Sequence, residues 1–117
     1  MRYYMLLLCV VFIGCASQGP SLSKAEIEQL KDRTLRAEIE CGLGNISKVD
    51  DNRSDARTIA LALALRCNVE YNNVTEAIAA GLDNNAQRIM IRERRAPQSR
   101  KIEDFLPIVM NYRTSGK

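Results

Sequence analysis

Seven residues in the middle of the chain, Ala56, Ala60, Leu63, Cys67, Tyr71, Val74 and Ile78, recur at steps of 4, 3, 4, 4, 3 and 4. Only an α-helix returns side chains to one face at that spacing. Residues 60–65 alternate Ala and Leu, which taken alone would also suit a strand. The longer period decides for a helix beginning near Asp55, with Ser54 or Asp51 placed to cap it. An apolar stripe of this length must be laid against another element, so the rest of the chain has to supply a partner.

The partner lies upstream. Ser23 and Glu26 stand three residues apart at the start of a helical pattern, the signature of a capping box. Ile27, Leu30, Thr34, Ala37 and Cys41 then step by 3, 4, 3 and 4 along one face. Glu28 with Lys31 and Asp32 with Arg36 are spaced to pair on the other sides. Gly42 and Gly44 weaken the helix beyond residue 41, residues 45–47 can still be helical, and residues 48–53 read as a polar connection. Gly81 and the Asn-rich residues after it end the second helix. A short helix over 86–95 follows, with Ile89, Met90 and Ile91 inward, and Pro97 stops it. The last element, residues 102–112, contains Pro107, which should bend it or delay its start to near Leu106; residues 113–117 read as a frayed end. The expected fold class is all-α, a small bundle of three to four helices.

At the other end, residues 1–15 have a different character. Arg2 precedes an apolar run of nine residues, 5–13, about half of what crosses a bilayer. A small residue and a cysteine close it, the layout of a secretory leader. The closing residues Phe12-Ile13-Gly14-Cys15 resemble the lipobox of bacterial lipoprotein precursors. The resemblance covers residues 1–15 and implies cleavage before Cys15, acylation of Cys15, and a signal peptide over 1–14. Residues 15–22, rich in Ser, Gly and Pro, then form a lipidated tether, and 23–117 form the helical domain with its basic C-terminal segment. By the same resemblance, a residue such as Ala16 rather than Asp after the lipidated position implies sorting to the outer membrane of a Gram-negative envelope, facing the periplasm.

That placement sorts the four cysteines. Cys9 leaves with the leader and Cys15 carries the lipid. Cys41 and Cys67 remain, an even pair in a compartment where disulfides persist. Each lies on the apolar stripe of its own helix, so a disulfide would staple the two; a pair of buried reduced thiols is the alternative. A closed loop of about 27 residues would contribute roughly 3 to 4 kcal/mol.

Chemistry is restricted by what the composition omits. There is no histidine and no tryptophan, which removes imidazole bases, Ser-His and Cys-His dyads and histidine metal sites. Cys41 and Cys67 are too far apart in sequence for a redox C-x-x-C. Asp50, Asn52 and Ser54 suit the first ligand positions of a calcium loop, but Asp55 and Leu61 stand where Gly and Glu are required. Glu38 and Glu40 point to different sides of their helix and make no acid–base couple. No catalytic residue, metal site or cofactor is expected, and the chain is not expected to be an enzyme. After residue 15 the aromatics are Tyr71, Phe105 and Tyr112, so the core must be built mainly from Leu, Ile, Val and Ala.

Charge is uneven. Residues 15–85 carry eight Lys/Arg against eleven Asp/Glu, and residues 86–117 carry eight against three. Arg88, Arg92, Arg94, Arg95, Arg100 and Lys101 form the candidate binding segment, with Arg88, Arg92 and Arg95 on one helix face. Arginine forks suit phosphate and carboxylate, so the expected partners are the membrane through the anchor, an envelope protein or an anionic envelope surface, and not nucleic acid. The expected function is a non-catalytic envelope lipoprotein that binds another envelope component or a protein partner. The alternative is a small periplasmic inhibitor, such as an immunity or phage-exclusion protein.

Overall fold

A computed structural model describes residues 22–116. The leader, Cys9, the Phe12-Ile13-Gly14-Cys15 motif and the tether as far as residue 21 lie outside the described residues. Among them all regular structure is α-helical, in five helices: α1 Lys24–Val49, α2 Ala56–Arg66, α3 Asn68–Ala79, α4 Asn84–Arg95 and α5 Gln98–Thr114. The expected count of three to four is corrected to five. None of these helices is long and apolar enough to cross a membrane.

The additional helix arises at Cys67. The central stripe runs as expected, but Cys67 leaves helical geometry at φ −100° and ψ 30°. Its amide still donates to the Leu63 carbonyl, and its carbonyl accepts from the Tyr71 amide. The break redirects the chain: α2 packs chiefly on α5, whereas α3 packs chiefly on α1. One straight helix could not serve both partners.

α1 starts as the sequence predicts. The Ser23 hydroxyl accepts from the Glu26 amide at 3.2 Å, and the Ser23 amide donates to Glu26 Oε2 at 2.7 Å. Lys31 pairs with Glu28 at 3.0 Å and Arg36 with Asp32 at 3.1 Å. The helix then continues through both glycines for 26 residues. Gly42 is buried where α5 passes: a Cβ there would stand 2.5 Å from Ile108 Cδ1 and 3.6 Å from the Phe105 ring. The missing side chain is what permits that approach.

The connection over residues 50–55 is built from aspartates. Asp51 accepts from the amides of Arg53 and Ser54 and from the Ser54 hydroxyl. Asn52 takes φ 59°, a left-handed conformation asparagine tolerates. The cap of α2 is Asp55, not Ser54 or Asp51; its carboxylate accepts from the amides of Arg57 and Thr58 and from the Thr58 hydroxyl. Asp83 caps α4 in the same way.

The core collects Ile46, Ile59, Ala60, Leu63, Ala64 and Cys67 with Tyr71, Phe105 and Val109. Pro107 sits inside α5, which is longer than expected at 17 residues. On α4 the inward expectation holds only in part: Met90 and Ile91 are half-buried, while Ile89 is 43% exposed.

Candidate functional site

The buried face of α1 is not the one its apolar period announces. Ile27, Leu30, Thr34 and Cys41 are half-buried, but Ala37 is exposed. The fully buried positions are Glu38, Gly42 and Ile46, at steps of four. The early turns of α1 meet α3, where Leu30, Thr34 and Ala37 line a cleft with Asn73 and Ala77. The later turns meet α2 and α5, where Asn45 accepts from Arg66 and Gly42 lies under Ile108, so the buried stripe shifts sideways along the helix. Glu38 falls where the two stripes change over.

There it forms part of the floor of a groove of about 550 Å³. One wall is α1, with Leu35, Ile39 and Leu43 beside Glu38. The opposite wall is α5, with Asp104, Pro107, Ile108 and Asn111, and Val74 and Ile78 of α3 and Arg94 of α4 complete it. Leu35, Ile39 and Leu43 stand 47%, 42% and 53% exposed, an apolar strip one helical turn apart that continues outward from the groove.

The charged groups of the floor are unevenly matched. The Arg94 guanidinium donates to Asp104 Oδ2 at 2.8 Å and to Thr75 Oγ1 at 3.0 Å, and lies 4.7 Å above the centroid of the Tyr71 ring. The Tyr71 hydroxyl donates to the Arg94 carbonyl at 2.6 Å, which fixes the end of α4 over the core. Arginine and Asp104 are thereby committed to each other. Glu38 is 4% exposed, and its Oε2 has no hydrogen-bond partner. Burial, reinforced by the negative charge of Asp104 and Glu70 and opposed by Arg94, pushes its carboxyl up to about 7. A buried polar atom without a partner costs stability, and a strongly perturbed carboxyl in a cleft marks a candidate site.

The six basic residues expected to act together are not one surface. Arg94 is half-buried in the groove floor. Arg95 pairs with Glu76 at 2.9 Å, Arg100 lies 3.7 Å from Glu103, and Lys101 donates to Asn68 at 3.3 Å. Arg88 and Arg92 alone of the six have no ion-pair or hydrogen-bond partner among the described residues, and both are exposed on α4 beside Ile89. Cys15, the lipidation candidate, lies outside the described residues.

Cys41 and Cys67 are brought together as their stripes imply, with their sulfurs 2.01 Å apart and their Cα atoms 6.0 Å apart, at disulfide distance. One carboxylate oxygen of Glu70 and the two sulfurs lie within 4.8 Å of one another. Sulfurs at bonding distance leave no thiolate for a metal ion, so the cluster offers a cation only the Glu70 carboxylate.

Period counting misses Glu38 because it stands one residue past Ala37, off the stripe that Ile27, Leu30, Thr34, Ala37 and Cys41 mark. The signal was present: it stands four before Gly42 and eight before Ile46, with Leu35 and Ile39 on either side. Comparison with protein-family models, curated proteins and solved structures finds no match to this chain.

Proposed function

We propose that the protein is a non-catalytic, lipid-anchored binding domain of the bacterial envelope, and that the groove between α1 and α5 is its binding site. The leader delivers the chain across the inner membrane, Cys15 takes the lipid, and the spacer over residues 16–22 holds the helical domain off the outer membrane on its periplasmic side. In that compartment the Cys41–Cys67 pair is a disulfide. The observation that carries the binding reading is Glu38 Oε2, buried without a hydrogen-bond partner on the floor of a groove whose walls are mainly apolar. Grooves of 300 to 1,000 Å³ with apolar walls and a few convergent polar groups are what ligand sites look like.

A carboxyl poised near 7 is also the property of a general acid. Asp104, the other carboxylate in the groove, is held by Arg94, and the remaining lining residues offer no nucleophile or free base. That favours binding over catalysis. The test has two parts. Intact mass should show an acylated chain beginning at Cys15, and a mass beginning at Met1 overturns the anchor. Native mass spectrometry of protein taken from the envelope should show a bound molecule that Ile39→Glu removes; a bare chain in both overturns the groove as the binding site.

A further inference from the structure

The groove carries more information than its existence. Its walls are hydrocarbon: Leu35, Ile39 and Leu43 on one side, Ile108 and Pro107 on the other. Its floor holds two carboxylates, Glu38 and Asp104, against a single guanidinium, Arg94. Arg94 makes its ion pair to Asp104 and spends its Nε–H on Thr75. With Asp104 matched, the unsatisfied atom is Glu38 Oε2. An ionised carboxylate only accepts hydrogen bonds, and a buried one requires a positive partner. The protein supplies none at that oxygen; a proton fills the place below about 7, and once the group ionises the complement must come from the occupant.

We infer that the groove takes a small amphiphilic amine, an apolar body along the α1 and α5 walls and one protonated nitrogen seated on Glu38. The inference rests on the groove being the binding site. An anionic amphiphile of the same length would meet Glu38 and Asp104 with like charge, and a neutral alcohol could donate a hydrogen bond to the carboxylate but not balance its charge. A hydrogen bond to a charged partner in such a place separates matched ligands by about tenfold or more. The volume suits a small molecule, and the exposed strip of Leu35, Ile39 and Leu43 gives an alkyl chain apolar surface past the enclosed part.

The experiment uses the full chain in nanodiscs of zwitterionic phosphatidylcholine, labelled at the Ile and Leu methyls and at the Glu carboxyl carbons. Octylamine, octanol and octanoate are titrated in turn. Octylamine should shift the Ile39, Leu43 and Ile108 methyls and the Glu38 carboxyl saturably, at a concentration about tenfold or more below the other two. Glu38→Gln, which keeps the shape and removes the charge, should erase the amine's advantage over octanol. If the three probes saturate alike, or the advantage survives Glu38→Gln, the amine assignment falls while the groove remains a binding site. If none of them moves the groove methyls, the groove reading falls with it. Shifts of the same methyls that follow protein concentration, or that vanish in Cys15→Ala, would put a second copy or the chain's own acyl group there and overturn the assignment.

Discussion

Arg113 near the end of α5 closes a two-pronged bond on Asp50, the residue that ends α1: Nε donates to Oδ2 at 2.9 Å and Nη2 to Oδ1 at 2.7 Å. The same Nη2 donates to the Ser54 carbonyl at 2.8 Å. The Asp50 side chain is fully buried, and that of Arg113 is a quarter exposed. A residue assigned by sequence to a frayed end thus ties the last helix to the first connection, 63 residues away. Arg113→Ala would leave the buried Asp50 carboxylate, which also accepts from the Asn52 amide, without the guanidinium that balances its charge, and breaking one side of a buried pair costs more than replacing both. The expected result is a lower urea midpoint for Arg113→Ala than for Arg113→Ala combined with Asp50→Asn. A double variant that loses the sum of the two single losses would show the pair uncoupled.

The Cys41–Cys67 pair clips the middle of α1 to the α2–α3 break. Bonded, it closes the unfolded chain into a loop and contributes roughly 3 to 4 kcal/mol. Cys41→Ser and reductant should therefore lower stability by similar amounts, and reductant should do nothing further to the variant. Thermal melts with and without reductant check this.

Stability should fall with pH across the neutral range, and Glu38 is the reason. Its folded-state value of about 7 lies above the ordinary 4.5. Between those values the folded chain binds the extra proton, so raising pH favours unfolding. The loss amounts to roughly 3 kcal/mol by the time pH passes 7. Arg94, Asp104 and Glu70 surround the group, and no histidine is present to blur the window. Glu26, Asp51 and Asp55, held below their ordinary values by the amides and hydroxyls they accept from, act only at the acid end, where stability is lost as they protonate. Denaturant midpoints from pH 5 to 8 should decline in the wild type and stay level in Glu38→Gln.

The two glycines of α1 should respond differently to alanine. Gly44 has nothing within 4 Å of where a Cβ would stand, so Gly44→Ala should stabilise by about 0.5 to 1 kcal/mol from helix propensity alone. Gly42→Ala has the same propensity gain but must displace the Ile108 methyl, 2.5 Å away at the far end of a flexible side chain. Stability should change by less than about 1 kcal/mol. Ile108 lines the groove, so octylamine affinity should drop; unchanged affinity would place Ile108 outside the ligand's path.

The sequence by itself determined the helices and several of their ends. Ser23 and Glu26 cap α1 through contacts within four residues, and the stripe from Ala56 to Ile78 needs only helical geometry to be read. The two cysteines could be assigned to apolar faces for the same reason. What only the tertiary structure decided is which of two neighbouring faces of α1 goes inward, and where. α1 meets α3 with its early turns and α2 and α5 with its later ones, so its buried stripe changes over at Glu38. The break at Cys67 answers the same division of partners. Likewise the basic residues could be counted in advance, and Arg100 with Glu103 is a local pair three residues apart, but the placement of Arg95 against Glu76 and of Lys101 against Asn68 could not be read. Local hydrogen bonds and periodicity are properties of a few adjacent residues, whereas burial of a charge depends on which distant helices cross above it.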